Sequence, residues 1–115
     1  MALKPLTYED PLYQLLRDGD VKGFNLRKAG GTSCDLTWGD FRNLDLRGLD
    51  ASGVDFSNSY FRAADLRGVD FSHSCLNGAS INGAKISGTY FPAELSAEEI
   101  SLSAKYGTRM RYHKK

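Results

Sequence analysis

Cys34-Asp-Leu-Thr-Trp38, Gly39-Asp-Phe-Arg-Asn43, Leu44-Asp-Leu-Arg-Gly48 and Leu49-Asp-Ala-Ser-Gly53 follow one another without a gap, and each aligns with the next in steps of five. The register continues through Val54-Asp-Phe-Ser-Asn58, Ser59-Tyr-Phe-Arg-Ala63, Ala64-Asp-Leu-Arg-Gly68 and Val69-Asp-Phe-Ser-His73. It closes with Ser74-Cys-Leu-Asn-Gly78, Ala79-Ser-Ile-Asn-Gly83, Ala84-Lys-Ile-Ser-Gly88 and Thr89-Tyr-Phe-Pro-Ala93, twelve units in all. The central residue of every unit is apolar, from Leu36 to Phe91, and all are large except Ala51. The residue two before it is small or apolar. The remaining positions hold mostly Asp, Arg, Ser, Asn and Gly.

A period of five fits neither an α-helix, which repeats every 3.6 residues, nor a strand, which alternates strictly. Two inward residues two apart, then a bend, is a chain that turns once per unit. Gly or Asn ends eight of the twelve units, and these residues tolerate turn dihedrals. Four such bends close a square.

The pattern resembles the pentapeptide-repeat family, whose signature is A(D/N)LXX. Ala64-Asp-Leu-Arg-Gly68 matches it outright, and Leu44-Asp-Leu-Arg-Gly48 and Val54-Asp-Phe-Ser-Asn58 are close. The resemblance implies an all-β fold, a right-handed quadrilateral parallel β-helix with four units per coil, hence three coils over residues 34–93. It also implies a bacterial protein. Residues twenty apart then stack. One side carries Leu46, Leu66 and Ile86, the next Ala51, Phe71 and Phe91, the third Leu36, Phe56 and Leu76, and the fourth Phe41, Phe61 and Ile81. Every column is apolar, as a continuous solenoid core requires. Leu44 and Leu49, oversized at the small position, compensate the volume that Ala51 leaves.

Three coils at one strand spacing each rise only about 15 Å, and both open ends need covers. Residues 1–33 read as an N-terminal helical cap behind an extended arm. Asp10-Pro11 starts a helix with Leu12, Leu15 and Leu16 on one stripe, and Gly19 stops it. Asp20 caps a second helix over Val21 to about Ala29. An extra repeat unit, with Leu26 in phase with Leu36, is the alternative for this stretch. Helix is preferred because Gly30-Gly31 breaks the register. Residues 94–115 form the C-terminal part. Ser96-Ala-Glu-Glu99 is a capping box opening a helix to Tyr106, with Ala97, Ile100 and Ala104 on one face and Gly107 at its end. Thr108 to Tyr112 alternates like a strand, with Met110 and Tyr112 on one side and Arg109 and Arg111 on the other. Its expected partner is the terminal coil or a second copy of the chain. Ile100, Tyr106, Arg109, Met110, Arg111 and Tyr112 are therefore the candidate dimer and interaction residues.

The chain has 115 residues and a net charge of +1, so no global field recruits nucleic acid. No apolar run reaches membrane-spanning length and no signal-peptide core is read, which makes a cytoplasmic protein the expectation. Residues 34–93 carry five basic and seven acidic residues, all Asp. Asp35 and Asp55, Asp45 and Asp65, and Asp50 and Asp70 are expected in outward columns. Some members of the resembled family bind type II topoisomerases such as gyrase as DNA mimics, and these columns are the feature relevant to that reading. Arg47 and Arg67 on the same outward side neutralise part of them, and the stack is about half a DNA turn long. Turn bonding of Asp to nearby backbone accounts for their recurrence. Cys34 is expected inward and Cys75 outward, beyond disulfide reach. His73 with Cys75 falls short of a tetrahedral metal set. No Ser-His-Asp or Cys-His arrangement emerges, and no cofactor is expected. The sequence thus reads as a non-enzymatic interaction or scaffold module, homodimeric through its C-terminal segment. Its partner is a protein, with neither membrane nor direct nucleic-acid binding expected.

Overall fold

The computed structural model describes residues 10–30 and 35–113. Within the repeat, seven parallel one-residue bridges tie the chain to itself, every one at an offset of twenty. Asp35, Asp55 and Cys75 pair in series on the first side of the coil, and Asp40, Tyr60 and Ser80 on the second. Asp45, Asp65 and Lys85 pair on the third side, and Asp70 pairs with Tyr90 on the fourth. The result is a four-sided coil with twenty residues per turn. The ladder is regular: Leu66 N–H donates to Lys85 O at 2.9 Å while Lys85 N–H donates to Ala64 O at 2.9 Å.

The all-β expectation needs one correction. Each side is straight for only about one residue between corners, so pairing takes the form of isolated bridges, and the described residues contain no extended strand. The regular elements among the described residues are three helices, α1 (Pro11–Arg17), α2 (Val21–Ala29) and α3 (Ala97–Tyr106).

The corners explain the unit's last residue. Trp38, Asn43, Gly48, Gly53, Asn58, Ala63, Gly68, Gly78, Gly83 and Gly88 all have positive φ. Glycine takes this left-handed region without strain, whereas Trp38 at φ 61° and Ala63 at φ 59° hold it at a cost of about 1–2 kcal/mol each. His73 and Ala93 are the departures: neither φ is positive, and Gly53 N–H bonds the His73 carbonyl at 2.8 Å.

The inward central residues from Leu36 to Ile81 are all buried. Phe41 stacks on Phe61 with centroids 5.3 Å apart and planes 19° apart, as residues twenty apart should. Phe56 and Phe71 meet this pair edge-on at 5.6–6.0 Å. Ala51 is buried beside buried Leu49 and half-buried Leu44. Polar atoms inside are matched. Ser59 Oγ donates to Leu36 O at 2.8 Å and accepts from Gly39 N–H at 3.2 Å. One and a half coils on, Thr89 Oγ1 repeats the first contact on Leu66 O at 2.6 Å. In the last coil Ile86 and Phe91 are only half-buried, because nothing stacks squarely on them.

The helices follow local chemistry. Asp10 Oδ1 accepts the Leu12 and Tyr13 amides at 2.8 and 3.2 Å with Pro11 at the first position, and Asp20 Oδ1 accepts Gly23 N–H at 2.9 Å. Leu12, Tyr13, Leu16 and Phe24 face the core, whereas Leu26 is 75% exposed. Ser96 Oγ accepts Glu99 N–H at 3.1 Å, but the Glu99 carboxylate turns to Arg111, so the expected capping box is half-made. Gly107, at φ 77°, ends α3. The inward face of α3 also differs from the expected one. Ala97 is exposed, and the fully buried residue is polar Ser103, flanked by half-buried Ile100 and Ala104.

Candidate interaction surfaces

Ser103 is inside because it closes a bond. An exposed coil end presents the amides and carbonyls that a further coil would pair, and side chains of the flanking helices replace that coil. At the first coil, Tyr13 Oη accepts Asp40 N–H at 3.2 Å, and Arg17 Nη1 donates to Asp40 O at 3.0 Å. The Asn25 amide acts as a short piece of strand: its Oδ1 accepts Asp50 N–H at 2.9 Å while its Nδ2 donates to Gly48 O at 2.9 Å. At the last coil, Ser103 Oγ accepts Ile81 N–H at 3.0 Å, and Ala104 O accepts Gly83 N–H at 3.0 Å.

The segment after α3 completes this cover. Met110 exchanges both backbone bonds with the coil, accepting from Gly78 N–H at 2.6 Å and donating to Ala79 O at 2.8 Å. Its side chain is buried. Tyr112 Oη accepts Leu76 N–H at 2.9 Å, and burial pushes its phenol up to about 12. The alternation expected for Thr108 to Tyr112 is found, without an extended strand, and its partner is the terminal coil of the same chain. Backbone that the sequence leaves available for a second copy is therefore in use.

Arg109 and Arg111 are exposed but engaged. Arg111 binds Glu99 through its amide at 3.0 Å and its Nη2 at 2.9 Å, which holds the Glu99 carboxyl below its ordinary range. Arg109 runs down one corner column. Its Nε donates to Gly78 O at 3.0 Å, its Nη2 to Asn58 Oδ1, and its guanidinium lies 5.1 Å from the Trp38 ring centroid. One side chain thus touches all three coils. Ile100 is half-buried on the core-facing side of α3, and Tyr106, at its end, is 66% exposed.

The cover protects only half of the terminal coil. Among the described residues no acceptor meets the amides of Ile86, Gly88 and Phe91, the equivalents of Leu66, Gly68 and Phe71 one coil below, which are all bonded. Beside these amides lie half-buried Ile86 and Phe91 and the 66% exposed Tyr90. The sequence hints at this in Lys85 and Tyr90, where the column partners are Asp.

The acidic columns have a local cause. All seven repeat Asp residues, Asp35, Asp40, Asp45, Asp50, Asp55, Asp65 and Asp70, accept through Oδ1 the amide two residues on, at 2.8–3.3 Å. Three also hold an Arg. Arg42 grips Asp40 through Nε and Nη2 at 2.8 and 2.9 Å, Arg47 grips Asp45 at 2.9 and 2.7 Å, and Arg67 grips Asp65 at 2.9 and 2.7 Å. Arg47 also reaches Asp65 at 3.4 Å. Hydrogen bonding from Arg67 carries Asp65 down to about 2, and Arg42 and Arg47 lower Asp40 and Asp45 likewise. The Ser52 hydroxyl lowers Asp50, with Lys28 contributing at 3.3 Å, and Ser72 lowers Asp70. All seven carboxylates are turned toward their own corners.

The pentapeptide-repeat family model matches residues 40–78 and 55–91, in eight copies. The chain belongs to the pentapeptide-repeat family. No curated protein and no solved structure matches it. In this pentapeptide-repeat protein Cys75 is a free, half-buried thiol, 2.9 Å from Ser57 Oγ, while Cys34 lies outside the described residues. Among the described residues no three His, Cys, Asp or Glu side chains gather as a metal site, and no helix is long and apolar enough to cross a membrane.

Proposed function

We propose that this is a non-enzymatic protein-interaction module, a right-handed quadrilateral β-helix that offers a partner the uncovered half of its last coil. The unmatched amides of Ile86, Gly88 and Phe91 beside half-buried apolar side chains carry this reading. An unpaired β-edge with neighbouring apolar surface takes up a further strand, with main-chain bonds giving affinity and side-chain pockets giving choice. The family membership supports a repeat module, and ionised, Arg-held carboxylates suit a frame better than proton transfer.

The occupant we favour is a second copy of the chain. Upward-facing Ala84 O and Ile86 N–H, with Thr89 O and Phe91 N–H, give each copy both donors and acceptors, and Lys85 opposite Tyr90 of the other copy avoids a like-charge pair. Sedimentation of the full chain against Ile86→Lys tests it. A dimer that the substitution dissociates supports the reading. A monomer at every concentration removes the homodimer, and a monomer that also leaves Ile86, Gly88 and Phe91 amides protected from exchange removes the open edge.

A further inference from the structure

The second side of the coil loses its acidic column after the first coil. In the series Asp40, Tyr60, Ser80 only the first residue is acidic. Arg42, Arg47 and Arg67 are each gripped by the Asp two residues earlier. Arg62 has Tyr60 at that position. Among the described residues its guanidinium meets no carboxylate. Asn43 N–H bonds Arg62 O at 2.9 Å and Ala63 N–H bonds Asn82 O at 2.9 Å, which stacks Arg42, Arg62 and Asn82 in one column.

This column borders a cleft of about 350 Å³, also lined by Tyr60, Tyr106 and Arg109. Three arginines therefore line one concavity whose lining holds no carboxylate. Arg42 is already paired with Asp40, and Arg109 is bound to Gly78 and Asn58, so both are fixed in place while Arg62 keeps its donors for a ligand. Lys105, 5.4 Å from the Tyr106 ring centroid, adds a further cation at the rim. Tyr106 is 66% exposed and supplies an aromatic surface beside it.

We propose that this cleft is an anion site for a phosphate-bearing small molecule with a planar ring, of the nucleotide class, with Arg62 as its main contact. A planar guanidinium binds phosphate oxygens in pairs, and exposed tyrosine stacks a base. The volume lies at the small end of ligand pockets, as a mononucleotide requires.

The test is an amide-resolved NMR titration of the full chain with adenosine monophosphate, inorganic phosphate and adenosine. Arg62→Gln is compared with Arg67→Gln, an exposed arginine outside the cleft. Saturable shifts at Asn82 and Gly107 are expected with the nucleotide, with about tenfold or weaker affinity for phosphate alone. Arg62→Gln should weaken nucleotide binding about tenfold or more, and Arg67→Gln should leave it unchanged. Because Arg62 holds no ion pair, its substitution leaves the urea midpoint where it was. Shifts that never saturate, an equal loss in both variants, or adenosine binding as well as the nucleotide would overturn the assignment.

Discussion

Replacing Ser103 by Ala isolates one closure of the terminal coil. Ser103 is 0% exposed, and its Oγ accepts Ile81 N–H at 3.0 Å across the junction between α3 and the last coil. Alanine leaves that amide without a partner in a fully buried place. An orphaned buried donor costs about 1–3 kcal/mol. Alanine also favours helix over serine by roughly 0.5 kcal/mol, which offsets part of the loss. The expected net destabilisation is about 0.5–2.5 kcal/mol. Ser101 is the control, since it is exposed on the same helix and its change to Ala gains only the propensity term. Urea unfolding followed by far-ultraviolet circular dichroism reads the difference, with m unchanged and a melting temperature lower by about 5 °C. If Ser103→Ala is as stable as Ser101→Ala, the hydroxyl does not close the Ile81 amide and the capping account fails at that point.

Three further outcomes follow from the same geometry. Ala63→Gly should raise stability by about 0.5–1 kcal/mol in the same urea assay, because relief of the φ 59° strain exceeds the entropy that glycine adds to the unfolded chain. Asp65, held down to about 2 in the folded chain against an ordinary value near 4, contributes stability that is complete above about pH 4 and lost as pH falls toward 2. Melting of Asp65→Asn should accordingly change less over that window than melting of the parent. Tyr112, pushed up to about 12 from an ordinary value near 10, contributes stability present below pH 10 and lost as pH rises toward 12. Tyr112→Phe should remove that alkaline transition, and at neutral pH it should cost about 1–2 kcal/mol by orphaning Leu76 N–H.

The repeat was legible because its constraints recur. Twelve central residues in phase, with glycine or asparagine at most corners, express the same side of a square twelve times, and the bridges at an offset of twenty follow directly. The ends of α1 and the start of α3 were legible for a similar reason, since Asp10-Pro11 and Ser96 are local signals needing no tertiary context. The covers were not. Tyr13, Asn25, Ser103 and Tyr112 act through one polar atom each, on backbone groups far away in the chain, and no periodicity marks them. Ser103 in particular looks like a surface serine, because its burial arises only once α3 lies across the coil. Arg62 was visible in principle, as the arginine whose unit has Tyr60 where Asp is usual. Its meaning depends on Arg109 arriving from the C-terminal segment to line the same cleft.

Amide hydrogen exchange along the last coil bears most directly on the claim that side chains of the flanking segments cover one half of the stack and leave the other half open. Leu76, Gly78, Ile81 and Gly83 are bonded to Tyr112, Met110, Ser103 and Ala104, and should exchange near the rate of global unfolding. Ile86, Gly88 and Phe91, at equivalent positions on the uncovered half, should exchange orders of magnitude faster in the dilute monomer. Equal protection of the two sets under those conditions would contradict the account.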